Sequence, residues 1–371
     1  VGTTTTHGIY INETCIEDGD TTGPKSAKRI LHNNMVEAAV LETARGGIVR
    51  DGLGYDKADI AVFTNLTEDH LGIDGINTME DLLHAKSRVI EAVKDDGACV
   101  LNADDPWVMK AREKATGKQI LFSMDEENPI LSRHIAKGGS AVYTRNNEIY
   151  ITCKGISRSL IKLRDIPATL TGKLKHNIYN SMAAIGASFA LGLSFDVIRE
   201  ALSEFGSDEN SNPGRFNIYD LGSFKVVLDY GHNIEGYRVT IEGLKALKPS
   251  RLIGVIGVPG DRLDTDIFNV GKISGNSFDY IYIKEDSDLR KKHPLEVANI
   301  LYRGALSSGM PKELIKIVPD EVDALRQALQ KAGKGDVIVV FFEKMNTLVD
   351  VIKEYQEEIY LEEQLVQQIP V

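Results

Sequence analysis

Short apolar runs alternate with helical stretches along the first part of the chain. The apolar runs at 36–41, 60–64 and 99–101 have the length of buried strands, and each ends near a cluster of polar residues. From Met79 to Val93 apolar residues recur near helical spacing, which predicts a helix. Strands that alternate with helices predict a parallel, doubly wound sheet, and ligands of such sheets bind beyond the carboxyl ends of the strands. The polar clusters fall at those ends.

Residues from about 119 to 170 follow a different pattern. Two β-like runs, Ser140 to Tyr143 and Ile149 to Thr152, flank a short polar segment and predict a hairpin. We therefore expect a small antiparallel insertion at the edge of the first domain. A helix is predicted to follow from about His176 to Leu191.

The segment from Ser207 to Gly214 is polar and rich in turn-forming residues, which is typical of a linker. After it a second α/β series begins, with helices between its strands and a last helix over 352–368. The predicted strands are 225–228, 252–256, 280–283 and 337–342. We thus expect an α/β protein of two domains, residues 1–208 and 213–371, the first with a β-rich insertion at about 119–170.

Composition narrows the class of protein. Of the 371 residues, 42% are hydrophobic and 26% are charged, as in an ordinary globular protein. The net charge of −11 argues against a surface built for nucleic acid or for an anionic membrane. The three cysteines form no CxxC pair, no apolar run has the length of a membrane span, and the first residues do not resemble a signal peptide. These features predict a cytoplasmic protein with reduced thiols.

Polar residues follow the first two predicted strands. Glu42 comes directly after an apolar run and before a predicted glycine turn at 44–47, where its carboxylate could reach Mg²⁺. The alternative is an ion pair with Arg45. The segment NLTEDHLG (65–72) contains His70, which could position a metal or a water; the alternative is a polar loop with a capping aspartate.

Two further candidates lie on predicted helices. Lys86 lies 16 residues after His70, and a single helical lysine is usually solvated. In the segment KHNIYN (175–180), Asn177 and Asn180 are three residues apart and share one helical face. Their amides suit the edge of an adenine base. The alternative is that Asn177 caps the helix.

The second domain offers a separate set. The Arg215 guanidinium suits phosphate, and Asp229, at a predicted strand end before YGHN (230–233), suits ribose hydroxyls. The segment GVIGVPGDR (254–262) has GxxGxxG spacing, which favours a tight loop over a nicotinamide site. The chain contains no GxSxG, HExxH, EF-hand or GxxxxGK[ST] motif.

Taken in order, these clusters resemble the Mur ligase superfamily, and the resemblance covers nearly the whole chain. Several segments look most like the C-terminal half of the cyanophycin synthetase branch: TTHGIYI (5–11), TGP (22–24), ETARGG (42–47), GVPGDR (257–262) and FEK (342–344). The resemblance implies a central ATPase domain with a small β insertion, followed by a Rossmann-like C-terminal domain.

The resemblance also implies a role for each candidate residue. Glu42 would hold the Mg²⁺ shared with the ATP phosphates, His70 a second Mg²⁺, and Lys86 would be the lysine that is often carbamylated. The nucleotide contacts would be adenine for His176, Asn177 and Asn180, and phosphates and ribose for Arg215 and Asp229. His232 would approach the phosphates or the incoming amine. Thr22 and Arg45 would face the acceptor polymer.

The activity implied is ATP-dependent amide ligation through an acyl phosphate. The substrates would be arginine and the aspartate β-carboxylates of multi-L-arginyl-poly-L-aspartate, and the family suggests a homo-oligomer. Folylpolyglutamate and muramyl-peptide ligation are alternatives that ETARGG disfavours. A non-catalytic binding or scaffold protein is a further alternative.

In the superfamily, a glycine-rich loop ending in GKTTT holds the ATP phosphates and precedes the region that begins here with Val1. Thr3 to Thr6 do not form that loop, since no Gly-Lys pair precedes them. We expect the chain to be an inactive fragment of a longer polypeptide, with a naturally shortened relative as the alternative.

Overall fold

A computed structural model describes residues 1–68, 71–209, 211–290 and 292–367, with side chains as far as residue 359. The chain divides into two compact units, Val1–Glu204 and Phe205–Val371. Both units alternate strands and helices, which confirms the α/β fold class.

The first unit contains two sheets rather than the single sheet that the sequence suggests. The smaller sheet has the order β3-β2-β1-β4, in which β1 and β4 are parallel and the other pairs antiparallel. The larger sheet has the order β10-β9-β8-β7-β6-β5, parallel from β5 to β8. The strands are β1 (Gly2–Thr5), β2 (Gly8–Ile11), β3 (Thr14–Asp18), β4 (Ala39–Leu41), β5 (Ala58–Phe63), β6 (Val93–Asn102), β7 (Lys118–Ser123), β8 (Ser140–Arg145), β9 (Glu148–Cys153) and β10 (Ile156–Lys162).

Helices cover both faces of the larger sheet. Alternate residues of β6 divide between two cores: Leu101 packs with the helices that follow β5 and β6, whereas Val100 packs with the long helix at 175–190. This is the arrangement expected for a doubly wound sheet. The helices are α1 (Pro24–Leu31), α2 (Arg45–Asp51), α3 (Met79–Lys86), α4 (Arg88–Glu91), α5 (Pro106–Ala111), α6 (Pro129–Ala136), α7 (Lys175–Ala190) and α8 (Phe195–Glu204).

The predicted hairpin is confirmed. Strands β8 and β9 pair antiparallel, with Arg145 opposite Glu148. The two residues between them, Asn146 and Asn147, both have positive φ, at 50° and 61°. Asparagine tolerates that conformation in a two-residue turn. The parallel part of the sheet continues through β7, so the antiparallel strands begin at residue 140 rather than at 119.

Two local predictions are wrong. The glycine turn predicted at 44–47 is instead the start of α2, because the Ile48 N–H donates to the Ala44 carbonyl and closes the first helical turn. The helix predicted from Met79 to Val93 is divided at Ser87 into α3 and α4, and Val93 already belongs to β6.

The second unit is built on one sheet of order β11-β12-β16-β13-β14-β15, in which only β11 is antiparallel to its neighbour. Its fully buried central strands form a core with α12 and α13 on one face. The elements are β11 (Asn217–Asp220), β12 (Lys225–Asp229), α9 (Ile234–Ala246), β13 (Leu252–Ile256), α10 (Asp264–Gly275), β14 (Tyr280–Ile283), α11 (Glu296–Ser307), β15 (Ile315–Ile317), α12 (Glu321–Lys331), β16 (Val337–Phe341) and α13 (Met345–Gln367).

The segment from Ser207 to Gly214 is held by side chains of the second unit. The Asn217 amide donates to the Ser207 and Asn212 carbonyls, and its oxygen accepts from the Gly214 N–H. No helix within the described ranges has the length and apolar character needed to cross a bilayer.

Candidate functional site

Glu42 follows β4 and is exposed. Its two carboxylate oxygens accept from one residue, the Thr6 N–H at 3.0 Å and the Thr6 hydroxyl at 2.9 Å. The preceding strand is not buried as predicted: Val40 is 61% exposed, and β4 lies at the edge of its sheet, next to β1. Each oxygen keeps a lone pair that can face a ligand, since a carboxylate offers about four acceptor positions.

Arg45 and Thr22 have partners within the first unit. The Arg45 guanidinium donates to the Ile73 carbonyl at 3.0 Å and lies 3.6 Å from the Asp74 carboxylate, with only 10% of the side chain exposed. The alternative of an Arg45–Glu42 ion pair is thus not the observed arrangement. The buried Thr22 hydroxyl donates to Asp20 at 2.7 Å. Contact of either residue with an acceptor polymer remains a prediction.

The loop that follows β5 is held by the segment NADD (102–105). The Asn102 amide donates to the Thr64 carbonyl at 2.8 Å, and one Asp105 oxygen accepts from the Leu66 N–H at 2.9 Å. The other Asp105 oxygen caps α5. The sequence predicts no role for Asp105, although an aspartate before a proline-initiated helix is a capping signal. His70 lies outside the described residues, so its place in this loop is not established.

Lys86 is half-buried and is the last residue of α3. A capping box between Thr78 and Asp81 fixes the start of α3, which packs against α2, the helix that follows Glu42. Among the residues that the structure describes, no three His, Cys, Asp or Glu side chains are grouped to hold a metal. Convergence of Glu42, His70 and Lys86 therefore remains a prediction.

The predicted adenine-binding residues lie at the start of α7 in different environments. His176 is half-buried and Asn180 is exposed, whereas Asn177 is buried and donates to the Ala168 carbonyl at 2.6 Å. Asn177 does not cap the helix, because the N-cap is Leu174. Contact with adenine is a prediction for all three, and Asn180 is the amide that solvent reaches.

Asp229, at the carboxyl end of β12, is buried and accepts three hydrogen bonds. The donors are the Phe216 N–H at 3.0 Å, the Gly231 N–H at 2.8 Å and the Thr240 hydroxyl at 2.9 Å. Burial raises the pKa of Asp229 above its usual value, although these donors oppose the shift. The carboxylate thereby holds the turn that carries Arg215, whose guanidinium lies 5.1 Å from the ring centre of Tyr230.

A cleft opens at the carboxyl ends of β12, β13, β14 and β16, where a parallel sheet is expected to bind ligands. The predicted residue His232 lies in its wall, and its Nδ1 is 3.1 Å from the Tyr230 carbonyl oxygen. The wall also carries three carboxylates and two cations. The lining residues are Tyr230, Gly231, His232, Gly257, Pro259, Lys284, Asp286, Asp288, Arg290, Phe342 and Glu343.

Close approach explains the glycines of the loop after β13. A Cβ atom at residue 257 would lie 2.5 Å from Lys284 Cε, and one at residue 260 would lie 2.4 Å from the Leu289 carbonyl oxygen. The Arg290 guanidinium also donates to Asp261 at 2.7 Å. The loop is thus packed against the segment after β14.

Sequence reasoning missed four charged residues of the cleft, and Lys284 has the most buried side chain among Lys284, Asp286, Asp288 and Arg290. Its side chain is 1% exposed, and its ammonium lies 2.6 Å from Asp286 and 2.9 Å from Glu321. Burial acts to lower the pKa of Lys284, but the two carboxylates outweigh it and hold the pKa above its usual value. Nothing in the local sequence distinguishes this lysine from a solvated one.

Family models match both units. The model of the Mur ligase middle domain matches residues 1–188, and that of the Mur ligase glutamate ligase domain matches residues 214–341. Cyanophycin synthetase from Geminocystis herdmanii (strain PCC 6308) is 39% identical over 355 residues, which are 96% of this chain and 40% of that protein. The chain thus spans about 40% of the length of the cyanophycin synthetases that it matches.

More distant relatives include the peptidoglycan ligases. UDP-N-acetylmuramoyl-L-alanyl-D-glutamate–2,6-diaminopimelate ligase from Caldanaerobacter subterraneus subsp. tengcongensis is 28% identical, over 84% of this chain and 59% of that protein. The crystal structure of MurF from Acinetobacter baumannii has the same fold, with a TM-score of 0.65 at 16% identity over 96% of this chain and 71% of that one.

Proposed function

Since this chain belongs to the Mur ligase family, we propose that it forms the ligase part of a cyanophycin synthetase. The activity would be ATP-dependent joining of arginine to the β-carboxylate of aspartate residues in multi-L-arginyl-poly-L-aspartate. The observation that carries this proposal is the cleft of the second unit, in which Asp286, Asp288 and Glu343 lie in the wall together with Arg290. Such a mixed lining suits a zwitterionic amine donor whose side chain is a cation.

The proposed reaction has two steps. The aspartate carboxylate attacks the γ-phosphorus of ATP, the bond to the β-phosphate oxygen breaks, and an acyl phosphate and ADP result. The α-amine of arginine then attacks the acyl carbon, the carbon–oxygen bond to phosphate breaks, and a proton leaves the nitrogen. The products are an amide and inorganic phosphate. Cationic and hydrogen-bonding side chains would offset the charge that gathers in each transition state.

Glu42 fits the role of a Mg²⁺ ligand. Its carboxylate is exposed and, among the residues that the structure describes, receives hydrogen bonds from Thr6 alone, so oxygen lone pairs remain for a hard cation. When bound, Mg²⁺ would neutralise charge on the phosphates of ATP. His70 and a carbamylated Lys86 are the further ligands that we propose. Asn102 and Asp105 hold the start of the loop after β5 through Thr64 and Leu66.

Nucleotide contacts are proposed for five residues. His176, Asn177 and Asn180 would contact adenine; the exposed Asn180 is best supported, because the amide nitrogen of Asn177 already donates to Ala168. Arg215 and Asp229 would contribute to the phosphates and ribose, although the hydrogen bonds of Asp229 favour an indirect role that holds the Arg215 turn. Thr22 and Arg45 would lie near the acceptor polymer.

His232 and the neighbouring cleft would receive the amine. His232 lies in the same wall as Asp286 and Glu343, where its imidazole could accept the proton that the attacking amine loses. The net charge of −11 supports small molecules and an aspartate-backbone polymer carrying arginine as partners, rather than nucleic acid or a membrane. A cytoplasmic homo-oligomer is proposed on the resemblance to the family.

The test uses the complete gene product that carries this chain. It is given ATP, Mg²⁺, a cyanophycin primer and arginine, and phosphate release is measured together with incorporation of radiolabelled arginine into the polymer. We expect release that depends on both primer and arginine. Reactions with lysine, or with a UDP-linked muramyl peptide and a diamino acid, are the matched controls. Turnover only with the muramyl substrates would reassign the chain, and no turnover with any pair would favour a binding protein.

A further inference from the structure

Lys284 is a buried cation with two carboxylate partners on different segments of the second unit. Asp286 lies in the segment after β14 and Glu321 at the start of α12. Transfer of an ammonium from water to the interior costs several kcal/mol unless it is paired and hydrogen-bonded. A buried methionine or leucine would fill the same space without that cost. Packing alone therefore does not explain why a charged side chain is buried at position 284.

The partners of Lys284 continue into the wall of the cleft. The Glu321 carboxylate accepts from the Glu343 N–H at 2.6 Å and from the Lys344 N–H at 3.2 Å, which fixes the segment after β16. The Glu343 carboxylate in turn accepts from the Ser287 N–H at 2.6 Å and from the Ser287 hydroxyl at 2.8 Å. Ser287 directly follows Asp286, so this series of hydrogen bonds leads back to the segment that begins with Lys284.

We propose that Lys284 is a positioning residue: it holds the segments after β14 and β16 together and so fixes the acidic wall of the cleft, formed by Asp286 and Glu343, for the amine donor. This inference rests on the proposed function for the identity of the donor. Its structural part, that one ammonium maintains the geometry of two segments, stands on the contacts alone.

Gly257 provides the space that the lysine side chain occupies. A Cβ at this position would lie 2.5 Å from Lys284 Cε and 2.8 Å from Lys284 Cδ. The backbone of the loop after β13 therefore borders the path of the lysine. Gly257→Ala should displace the Lys284 side chain without changing any charge, which provides a second and independent way to disturb the network.

The first test measures amide hydrogen exchange by NMR or mass spectrometry in Lys284→Met. Loss of a hydrogen bond to a charged group should raise the exchange rates of the Ser287, Glu343 and Lys344 amides by about tenfold or more. Lys225→Met is the matched control, because Lys225 also pairs with a carboxylate, that of Asp220. Lys225 is the first residue of β12, at the end of the strand away from the cleft. Unchanged exchange at the three amides in a folded Lys284→Met protein would overturn the proposal.

Lys284→Met leaves two carboxylates without their cation and can fail to fold for that reason alone. The double variant Lys284→Met with Glu321→Gln removes one of those charges. Its reference is Glu321→Gln alone, because a glutamine amide keeps only one of the two acceptor oxygens that face the Glu343 and Lys344 N–H groups. We expect the double variant to recover most of the unfolding midpoint while the Ser287, Glu343 and Lys344 amides exchange faster than in Glu321→Gln alone. Equal exchange in these two variants would show that Lys284 only balances charge.

The second test is kinetic and uses the complete gene product. In Gly257→Ala and in the double variant, KM for arginine should rise by about tenfold, with KM for ATP within about twofold of the wild type. A purely structural role would lower kcat with the folded fraction and leave KM for arginine unchanged, and that result would contradict the proposal. If the wild type has no ligase activity, the proposed function fails, and the exchange experiment still decides the role of Lys284.

Discussion

Glu42 in the first unit and Asp229 in the second occupy the same position in their local sequences: each is an acidic residue at the carboxyl end of a parallel strand. The structure treats them differently. Glu42 is exposed and receives two hydrogen bonds, both from Thr6 within the described part of the chain. Asp229 is buried and receives three, from the separate segments that carry Phe216, Gly231 and Thr240.

The difference separates two uses of a strand-end carboxylate. Glu42 has lone pairs that face solvent, so a cation or a substrate group can reach it. The carboxylate of Asp229 accepts hydrogen bonds from the protein itself and fixes the turn before β11 against the end of β12. A ligand could bind to the Glu42 carboxylate directly, whereas Asp229 would affect ligand binding by positioning Arg215.

The largest expected effect is on the stability of the second unit. Asp229→Ala would leave the buried Phe216 N–H, the half-buried Gly231 N–H and the buried Thr240 hydroxyl without their acceptor, so we expect the free energy of unfolding to fall by about 3–5 kcal/mol. Denaturant unfolding followed by circular dichroism measures the change. Asp220→Ala is the control, because its side chain is 60% exposed, and it should cost less than about 1 kcal/mol. Equal costs would show that Asp229 is as dispensable as a surface acid.

Glu42 should show the reverse behaviour. In the complete gene product Glu42→Ala should lower ligase turnover by roughly a hundredfold or more, as loss of a preorganised charge-stabilising group does. The free energy of unfolding should stay within about 0.5 kcal/mol, since the side chain is exposed. Glu37→Ala, at another exposed acid before β4, is the matched control. If Glu42→Ala kept wild-type turnover, Glu42 would not be part of the reacting site.

The parts of the fold that the sequence predicts well are those that local pattern decides. Strands β13 and β14 begin and end at the predicted residues. The apolar run of β14 lies between Asp279 and Lys284, and that of β13 begins after Arg251 and ends before the glycine-containing loop that starts at Gly257. The hairpin turn at Asn146 is predicted because asparagine is favoured at positive φ. The start of α2 is missed because paired glycines are typical of turns, and only the contacts of the folded unit make residues 45–47 helical.

In the candidate site, too, some features follow from local sequence pattern and others depend on contacts of the folded protein. The positions of Glu42, Asp229 and His232 at strand ends follow from the alternation of strands and helices. Their burial and partners depend on segments distant in sequence, such as Phe216 for Asp229. The partners of Lys284 are the hardest to predict. One of them, Glu321, lies at the start of α12, far from Lys284 in sequence, and no local pattern indicates the pairing.

Asp105 tests whether the first unit also depends on a half-buried carboxylate whose two oxygens both accept from the backbone. In Asp105→Asn the remaining oxygen can still cap α5, but an amide N–H₂ would replace the acceptor that faces the Leu66 N–H. We expect a loss of about 1–2 kcal/mol in the free energy of unfolding, with faster amide exchange at Leu66. Asp96→Asn is the control. Unchanged exchange at Leu66 would mean that Asn102 alone holds the loop.

The smallest effect concerns Glu209, which is less buried than Asp229 and less exposed than Glu42. Its carboxylate accepts from Lys353 at 2.8 Å and from the Tyr219 hydroxyl at 2.9 Å, with 29% of the side chain exposed. The hydrogen bond from Lys353, and next that from Tyr219, lowers the pKa of Glu209 below its usual 4.5.

Since the folded state resists protonation of Glu209, the stabilising contribution of this carboxylate is present above pH 4.5. It is lost as the pH falls through the folded-state pKa. Wild type should therefore exceed Glu209→Gln in free energy of unfolding by up to about 1 kcal/mol at neutral pH, and the gap should close in acid. Asp229 should show the opposite sign, because a raised pKa gives a contribution that is lost as the pH rises. Denaturant unfolding of both wild type and Glu209→Gln between neutral and acidic pH measures the gap, and a gap that does not change with pH would show that the Lys353 pair contributes nothing electrostatic.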